Sequence, residues 1–259
     1  QGDASKWRKF ANSLMLRVAM RMSKVDPAAA EQWVKTAVAN GVFESDADNC
    51  MLMHAGGLTT NDSSEPYAKI YSHEDRGNFF LTEYFVDLLK STNDPRLSLI
   101  GTVCEDPTIS VQAGSDFQYG DSAPAVQKGL PSGFSDSPDS PWFVGNKYPE
   151  FKDEDYRSTY RSRYSTINRY TYSDPTGPTF VCTYAQTQLL LAEAAVRGWV
   201  DGSAQTYYEN GVRAAMRQFA QFPNGTALYN QYLTQAAIDR YLTENPFNAS
   251  KALEQINTQ

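Results

Sequence analysis

The chain has 259 residues, of which 41% are hydrophobic, and this is enough apolar material for a substantial core, so wholesale disorder is excluded. Its formal net charge of −7 argues against a nucleic-acid partner, because such a partner requires a basic surface. No apolar stretch approaches the ~20 residues that a membrane-spanning helix needs.

Residues that commonly hold metals are few and widely spaced. The cysteines are Cys50, Cys104 and Cys182, and the histidines are His54 and His73. None of them forms a C-x-x-C or H-E-x-x-H motif, so neither a zinc site nor a disulfide framework is indicated. We predict no metal and no cofactor.

The sequence also lacks the common signatures of catalysis. It contains no G-x-S-x-G, G-x-G-x-x-G or G-x-x-x-x-G-K-[ST] motif. The four acids within residues 150–155 repel one another and are typical of a solvated turn, whereas a glycosidase needs two opposed carboxyl groups. We therefore predict no catalytic residues and no enzymatic activity.

Apolar residues at helical spacing predict a helix pair over about residues 5–40. Ser5 is a plausible N-cap of the first helix, and Asp26-Pro27 supplies a cap and an initial proline for the second. Gly41 ends that second helix. Trp7 and Trp33 lie on the apolar stripes, and Trp199 lies just past a later helix end, so core packing is predicted for all three.

A second helix pair is predicted over about residues 184–221. Superposing the two pairs without gaps, at an offset of 175, matches Leu14 with Leu189 and Trp33 with Tyr208. This similarity predicts tetratricopeptide-like helix pairs, which bury their apolar faces by stacking on neighbours. The predicted fold class is all-α.

The segment between the pairs has a different character. Residues 101–178 show little periodicity but many aromatic, proline and glycine residues, which predicts an ordered, irregular, ligand-facing insertion. Helices are predicted again over about residues 226–259, with Asn248 capping the last one. We expect a single helical domain over residues 1–259 that is incomplete at both ends.

The insertion also carries the candidate ligand-binding residues. Sugars bind by stacking their apolar C–H faces on aromatic rings, while short polar side chains hydrogen-bond the hydroxyl groups. Prolines stiffen the segment around Trp142, which lacks the helical stripe that would bury the ring. The predicted contacts are Trp142, Phe143, Asn146, Tyr148, Tyr119 and Tyr156. The alternative is that Trp142 anchors the insertion to the helices by hydrophobic packing.

Three stretches of this sequence resemble SusD/RagB-like nutrient-binding outer-membrane lipoproteins, in particular the SusD-like branch of starch-binding associates. They are S-K-W-R-K-F-A-N-S-L-M-L-R-V-A-M-R-M-S (Ser5–Ser23), Y-S-T-I-N-R-Y (Tyr164–Tyr170) and T-Y-A-Q-T-Q-L-L-L-A-E-A-A-V-R-G-W (Thr183–Trp199). The helix segment around Tyr208 is also similar.

The resemblance implies a helical protein on the surface of the outer membrane of Bacteroidetes, anchored by an N-terminal lipid that lies outside this chain. It also implies delivery of glycans or other nutrients to a TonB-dependent, SusC-like transporter. Ligand contacts in this family come from variable loops, so no binding residue can be transferred to this chain. We expect a non-enzymatic glycan-binding subunit; the alternative is a helical-repeat scaffold for protein partners without a small-molecule site.

Overall fold

The computed structural model describes residues 2–56, 64–70, 79–104, 119–133, 135, 137–153 and 163–259. Its α-helices are α1 (Ala4–Arg21), α2 (Pro27–Ala39), α3 (Pro66–Lys69), α4 (Glu83–Ser91), α5 (Leu97–Ile100), α6 (Tyr184–Val196), α7 (Ala204–Arg217), α8 (Thr226–Tyr232), α9 (Gln235–Glu244) and α10 (Ala252–Thr258). Its strands are β1 (Cys50–Leu52), β2 (Gly101–Cys104), β3 (Tyr119–Asp121), β4 (Thr166–Ile167) and β5 (Thr179–Cys182).

Contacts divide the chain into two compact units. The first, which we call the helical unit, comprises Gln1–Met53, Pro178–Gln218 and Ile238–Gln259. The second, which we call the mixed unit, comprises His54–Gly177 and Phe219–Ala237. The expectation of one helical domain over the whole chain stays a prediction.

Both helices of the first pair begin at side-chain caps. The Asp3 carboxylate accepts the backbone N–H groups of Ser5 (2.8 Å) and Lys6 (3.4 Å), so Asp3 caps α1 in place of the predicted Ser5. The Asp26 carboxylate accepts the N–H of Ala29 at 3.0 Å and caps α2, as predicted. Gly41 follows α2 with a φ of +87°, which a residue with a Cβ rarely adopts.

The second pair repeats the first in register. At the offset of 175, the last residue of α1 (Arg21) coincides with the last residue of α6 (Val196). Ser203 caps α7 by accepting the N–H of Thr206 at 3.3 Å. The two pairs confirm the predicted all-α class with tetratricopeptide-like helix pairs.

One apolar cluster joins the two pairs inside the helical unit. Its buried residues include Leu16 and Val34 from the first pair and Leu191 and Ala194 from the second. Trp199 is 9% exposed and belongs to this cluster, which confirms its predicted packing.

Two of the tryptophans predicted to pack are exposed instead. Trp7 is 64% exposed and Trp33 is 47% exposed, whereas Tyr208, the repeat partner of Trp33, is 2% exposed. The ring of Phe247 lies 5.3 Å from that of Tyr208 and covers it. The prediction failed because helical periodicity identifies an apolar face but not whether another element covers that face.

The mixed unit combines short helices with short antiparallel strands. β2 pairs with both β3 and β4, and α4 buries Val86 and Leu89. The helical spacing of Phe80, Tyr84 and Leu88 predicts an amphipathic helix over residues 79–90, but Tyr84 is 77% exposed. The helix begins later, at Glu83, after the Thr82 side chain accepts the N–H of Phe85.

Polar side chains bind backbone groups at the centre of the mixed unit. The fully buried Asn168 amide donates to the carbonyl oxygens of Ser98 (3.1 Å) and Gly101 (3.3 Å) and to Oγ of Ser122 (3.0 Å). Nε2 of Gln127, itself buried, also donates to Gly101 O, at 3.1 Å. The predicted irregular insertion is therefore ordered here by long-range side-chain–backbone hydrogen bonds.

Candidate functional site

The loop around Trp142 is held by its own backbone hydrogen bonds. The N–H of Ser135 donates to Trp142 O at 2.8 Å, and the N–H of Val144 donates to Ser135 O at 2.8 Å. The N–H of Trp142 donates to Oγ of Ser140 at 3.2 Å. The main chain on both sides of the tryptophan is thereby fixed.

The Trp142 side chain lies at the surface of this loop. It is 70% exposed, and no other described aromatic ring stacks on the indole. The side chain therefore offers a flat apolar surface to solvent on a main chain that is held in place. This is the property that stacking on a sugar ring requires.

The neighbouring ring, Phe143, is buried and does not face a ligand. It is 7% exposed and packs with Val144, Phe151 and Tyr164. A Cβ placed on Gly145 would lie 2.5 Å from the Phe143 ring, so the ring sits directly against the loop backbone. In this structure the Phe143 ring packs beneath the loop instead of facing solvent, and a ligand contact at Phe143 stays a prediction.

Asn146 and Tyr148 lie on the same loop with different surroundings. Asn146 is exposed, at the end of the 3-10 turn Val144–Asn146. Tyr148 is half-buried, and its hydroxyl donates to Oε2 of Glu83 at 2.8 Å. The Lys147 ammonium lies 5.0 Å from the Tyr148 ring centroid, and its hydrogen bond with Tyr148 raises the pKa of Lys147. Asn146 can donate and accept hydrogen bonds beside the indole, while Tyr148 ties the loop to the start of α4.

The two remaining predicted contacts are not placed by the structure. The backbone of Tyr119 begins β3, where it pairs with Cys104. Its side chain, and the whole of Tyr156, lie outside the residues that the structure describes.

The family that matches residues 1–259 is described as starch-binding and associating with the outer membrane. This chain belongs to that SusD-like family. A comparison with the curated proteins gives no match.

Solved structures of SusD-like proteins share the fold. A chitin-binding protein is 31% identical, with a TM-score of 0.72 over 99% of this chain and 48% of its own. A SusD-like protein of Bacteroidetes is 26% identical, with a TM-score of 0.76 over 99% and 55%. A SusD homologue from Bacteroides fragilis is 25% identical, with a TM-score of 0.70 over 98% and 50%. The present SusD-like chain thus spans about half the length of the structures it matches.

The sequence analysis missed one exposed aromatic residue that follows Glu83, the residue to which Tyr148 ties the loop. Tyr84 follows directly after Glu83, the residue that accepts the Tyr148 hydroxyl, and it is 77% exposed. The pattern placed Tyr84 on an apolar helix face, so its spacing gave no signal of exposure. In this SusD-like chain, Tyr84 is a further aromatic candidate.

Charged groups near the loop form local pairs. The Lys128 ammonium lies 3.4 Å from the Glu150 carboxylate and 5.1 Å from the Tyr164 ring centroid. Among the described residues of this SusD-like chain, no three His, Cys, Asp or Glu side chains are grouped so that they could hold a metal ion. In the same part of the chain, no helix has the length and apolar character to cross a membrane.

Proposed function

We propose that this chain is the ligand-binding part of a cell-surface glycan-binding protein of the outer membrane. It captures oligosaccharides by stacking a sugar ring on Trp142. The observation that carries the proposal is the 70% exposure of this indole on a loop with a fixed main chain. Because the loop is already ordered before binding, less conformational entropy is lost when the ligand binds.

The groups beside Trp142 suit a neutral, hydroxyl-rich ligand. The carboxamide of Asn146 both donates and accepts hydrogen bonds, as sugar hydroxyls require. Phe143 holds the loop through apolar packing. Tyr148 holds it through the hydrogen bond from its hydroxyl to Glu83. The arrangement binds and orients a sugar ring, and no step of bond cleavage is proposed for it.

The family supports this class of ligand. Its description names starch, and one structural neighbour, 31% identical to this chain, is a chitin-binding protein. The family description and the name of this neighbour both state binding. We therefore propose malto-oligosaccharides and chito-oligosaccharides as the first ligands to test.

We also propose that the complete protein passes its ligand to a SusC-like, TonB-dependent transporter. The helical unit offers a surface for a protein partner, because an apolar groove of about 390 Å³ runs along α1 and α2. It is lined by Ala11, Leu14, Met15, Val18, Ala19, Met22 and Trp33. The same groove favours the second candidate function, a protein-binding scaffold without a glycan site.

Calorimetric titration of the purified chain with maltohexaose and chitohexaose separates the two functions. Glycan capture predicts saturable binding to wild type and a loss of at least about tenfold in affinity for Trp142→Ala, with partial recovery in Trp142→Phe. Trp33→Ala is the matched control, since it also removes an exposed indole, but from a groove lined otherwise only by aliphatic side chains.

Two results would contradict glycan capture at this loop. One is an affinity that Trp142→Ala leaves unchanged. The other is no binding of any glycan together with co-purification of the chain with a SusC-like transporter, which would favour the scaffold.

A further inference from the structure

The helical unit contains a second cleft that combines an exposed indole with polar groups. Its volume is about 270 Å³. It is lined by Asp3, Lys6, Trp7, Phe10, Asp48, Asn49, Cys50 and Met51. The cleft therefore combines the first turns of α1, the turn before β1 and β1 itself.

Trp7 forms the apolar surface of this cleft. It is 64% exposed, and the edge of the Phe10 ring meets it at 5.9 Å with an interplanar angle of 81°. A Cβ on Gly2 would lie 2.9 Å from Nε1 of Trp7, so the backbone of Gly2 borders the pyrrole edge. The indole N–H donates to no group in the described part of the chain. The ring is held on an α-helix and still presents apolar surface to solvent.

Asn49 supplies an oriented donor to the same cleft. Its Oδ1 accepts the backbone N–H of Tyr184 at 2.7 Å, which fixes the rotation of the carboxamide. Among the residues that the structure describes, none accepts a hydrogen bond from Nδ2 of Asn49. A fixed, partly buried amide with an unused donor is suited to a hydroxyl group of a ligand.

Asp48 supplies a carboxylate that is held in place. Its oxygens lie 3.1 and 3.2 Å from the Lys9 ammonium, and Oδ2 also accepts the N–H groups of Glu44 (2.9 Å) and Ser45 (3.2 Å). Burial acts to raise the pKa of Asp48, but the Glu44 amide and the Lys9 ammonium outweigh burial and hold the pKa below its usual value. The turn that carries Asn49 is therefore rigid and charged.

The contrast with Trp33 shows why the surroundings of an exposed indole matter. Apart from the indole N–H of Trp33 itself, the side chains that line the groove around Trp33 carry no hydrogen-bonding group for a hydroxyl. Around Trp7, by contrast, two carboxylates, an ammonium and an amide line the cleft. A ring with one apolar face and a rim of hydroxyls matches the Trp7 cleft and not the Trp33 groove.

We infer that the Trp7 cleft is a second glycan-binding site, which takes a single pyranose ring stacked on Trp7, with a hydroxyl accepting from Asn49. The ligand class rests on the proposed function, but the residues are independent of Trp142. The Trp7 cleft lies in the helical unit and Trp142 lies in the mixed unit, so the two sites share no residue.

The test is calorimetric stoichiometry with chitotriose and maltotriose as probes. Wild type is expected to bind two molecules per chain. Trp142→Ala and Trp7→Ala are each expected to bind one, and the double variant none. Asn49→Asp retains the oxygen that accepts from Tyr184 and removes the donor; in a Trp142→Ala background it is expected to weaken the remaining site at least about tenfold.

The outcomes separate this inference from the proposed function. If Trp142→Ala alone abolishes all binding, the Trp7 site is refuted and the Trp142 site stands. If Trp7→Ala alone abolishes all binding, the Trp7 site stands and the Trp142 proposal fails. If Trp7→Ala still binds two molecules per chain, the inference is also overturned. If wild type binds no glycan, both the Trp7 site and the Trp142 site are overturned. Trp33→Ala serves as the control and is expected to bind two molecules.

Discussion

Trp142 and Phe143 are adjacent aromatic residues with opposite predicted effects on stability. Phe143 is 7% exposed and Trp142 is 70% exposed. A buried phenylalanine removes about 150–250 Å² from water. At ~25 cal/mol per Å² this corresponds to about 4–6 kcal/mol as an upper bound. Since alanine retains Cβ and the loop can partly collapse, we expect Phe143→Ala to lower the free energy of unfolding by about 3–5 kcal/mol.

Trp142→Ala is expected to change the free energy of unfolding by no more than ~0.5 kcal/mol, because the ring is mostly solvated. Urea denaturation followed by far-UV circular dichroism measures both variants without relying on tryptophan emission. Equal destabilisation by the two substitutions, or a larger effect of Trp142→Ala, would refute the reasoning. Trp142 would then be the hydrophobic anchor of the loop.

Three further substitutions test the packing and hydrogen bonding inside each unit. Gly129→Ala places a Cβ 2.3 Å from Thr82 O, a backbone atom that cannot swing aside, and thermal melting should show a loss of about 1–3 kcal/mol. Asn168→Ala removes the Asn168 donor from the carbonyl oxygen of Ser98 and leaves Gly101 O with the Gln127 donor, and denaturant titration should show a loss of about 1–3 kcal/mol. Asp48 has a depressed pKa, so its contribution to stability is complete above the pKa of unfolded aspartate, about 3.9, and is lost as the pH falls through the folded value. Thermal melting of wild type and Asp48→Asn should be compared across pH 2–7, a range of about five units around that value. The melting temperature of the variant should fall less at acid pH than that of wild type.

Exposed residues provide the controls for these substitutions. Ser132→Ala, Asn146→Ala and Asp139→Asn change exposed side chains of the mixed unit and are expected to alter stability by no more than ~0.5 kcal/mol. Wild-type stability in Gly129→Ala or Asn168→Ala would contradict the described packing. An unchanged acid-induced loss in Asp48→Asn would show that other carboxylates account for it.

The helix pairs could be predicted because their signals are local. Asp26 and Ser203 cap the helices that follow them, and Gly41 and Gly198 adopt the positive φ expected after a helix end. Periodicity also identified apolar faces correctly. It could not show that Phe247 covers Tyr208 while its repeat partner Trp33 stays exposed, since that depends on distant segments.

The candidate site was less predictable, because no local pattern determines which of two adjacent rings turns inward. Composition and prolines singled out the loop and Trp142, but Phe143 is buried by Phe151 and Tyr164, whose packing against it follows no local sequence pattern. The cleft at Trp7 was missed for the opposite reason: its indole lies on a helical stripe, which is typical of core packing. The fixed amide of Asn49 depends on Tyr184, 135 residues later, and the sequence carries no signal of that pairing.

A crystal structure of the chain with bound chitohexaose or maltohexaose tests the central claim most directly. The account predicts a sugar ring lying flat on the Trp142 indole at van der Waals distance, about 4 Å, with hydroxyl groups near Asn146. A glycan bound only at other surfaces, with the Trp142 indole left in solvent, would contradict it.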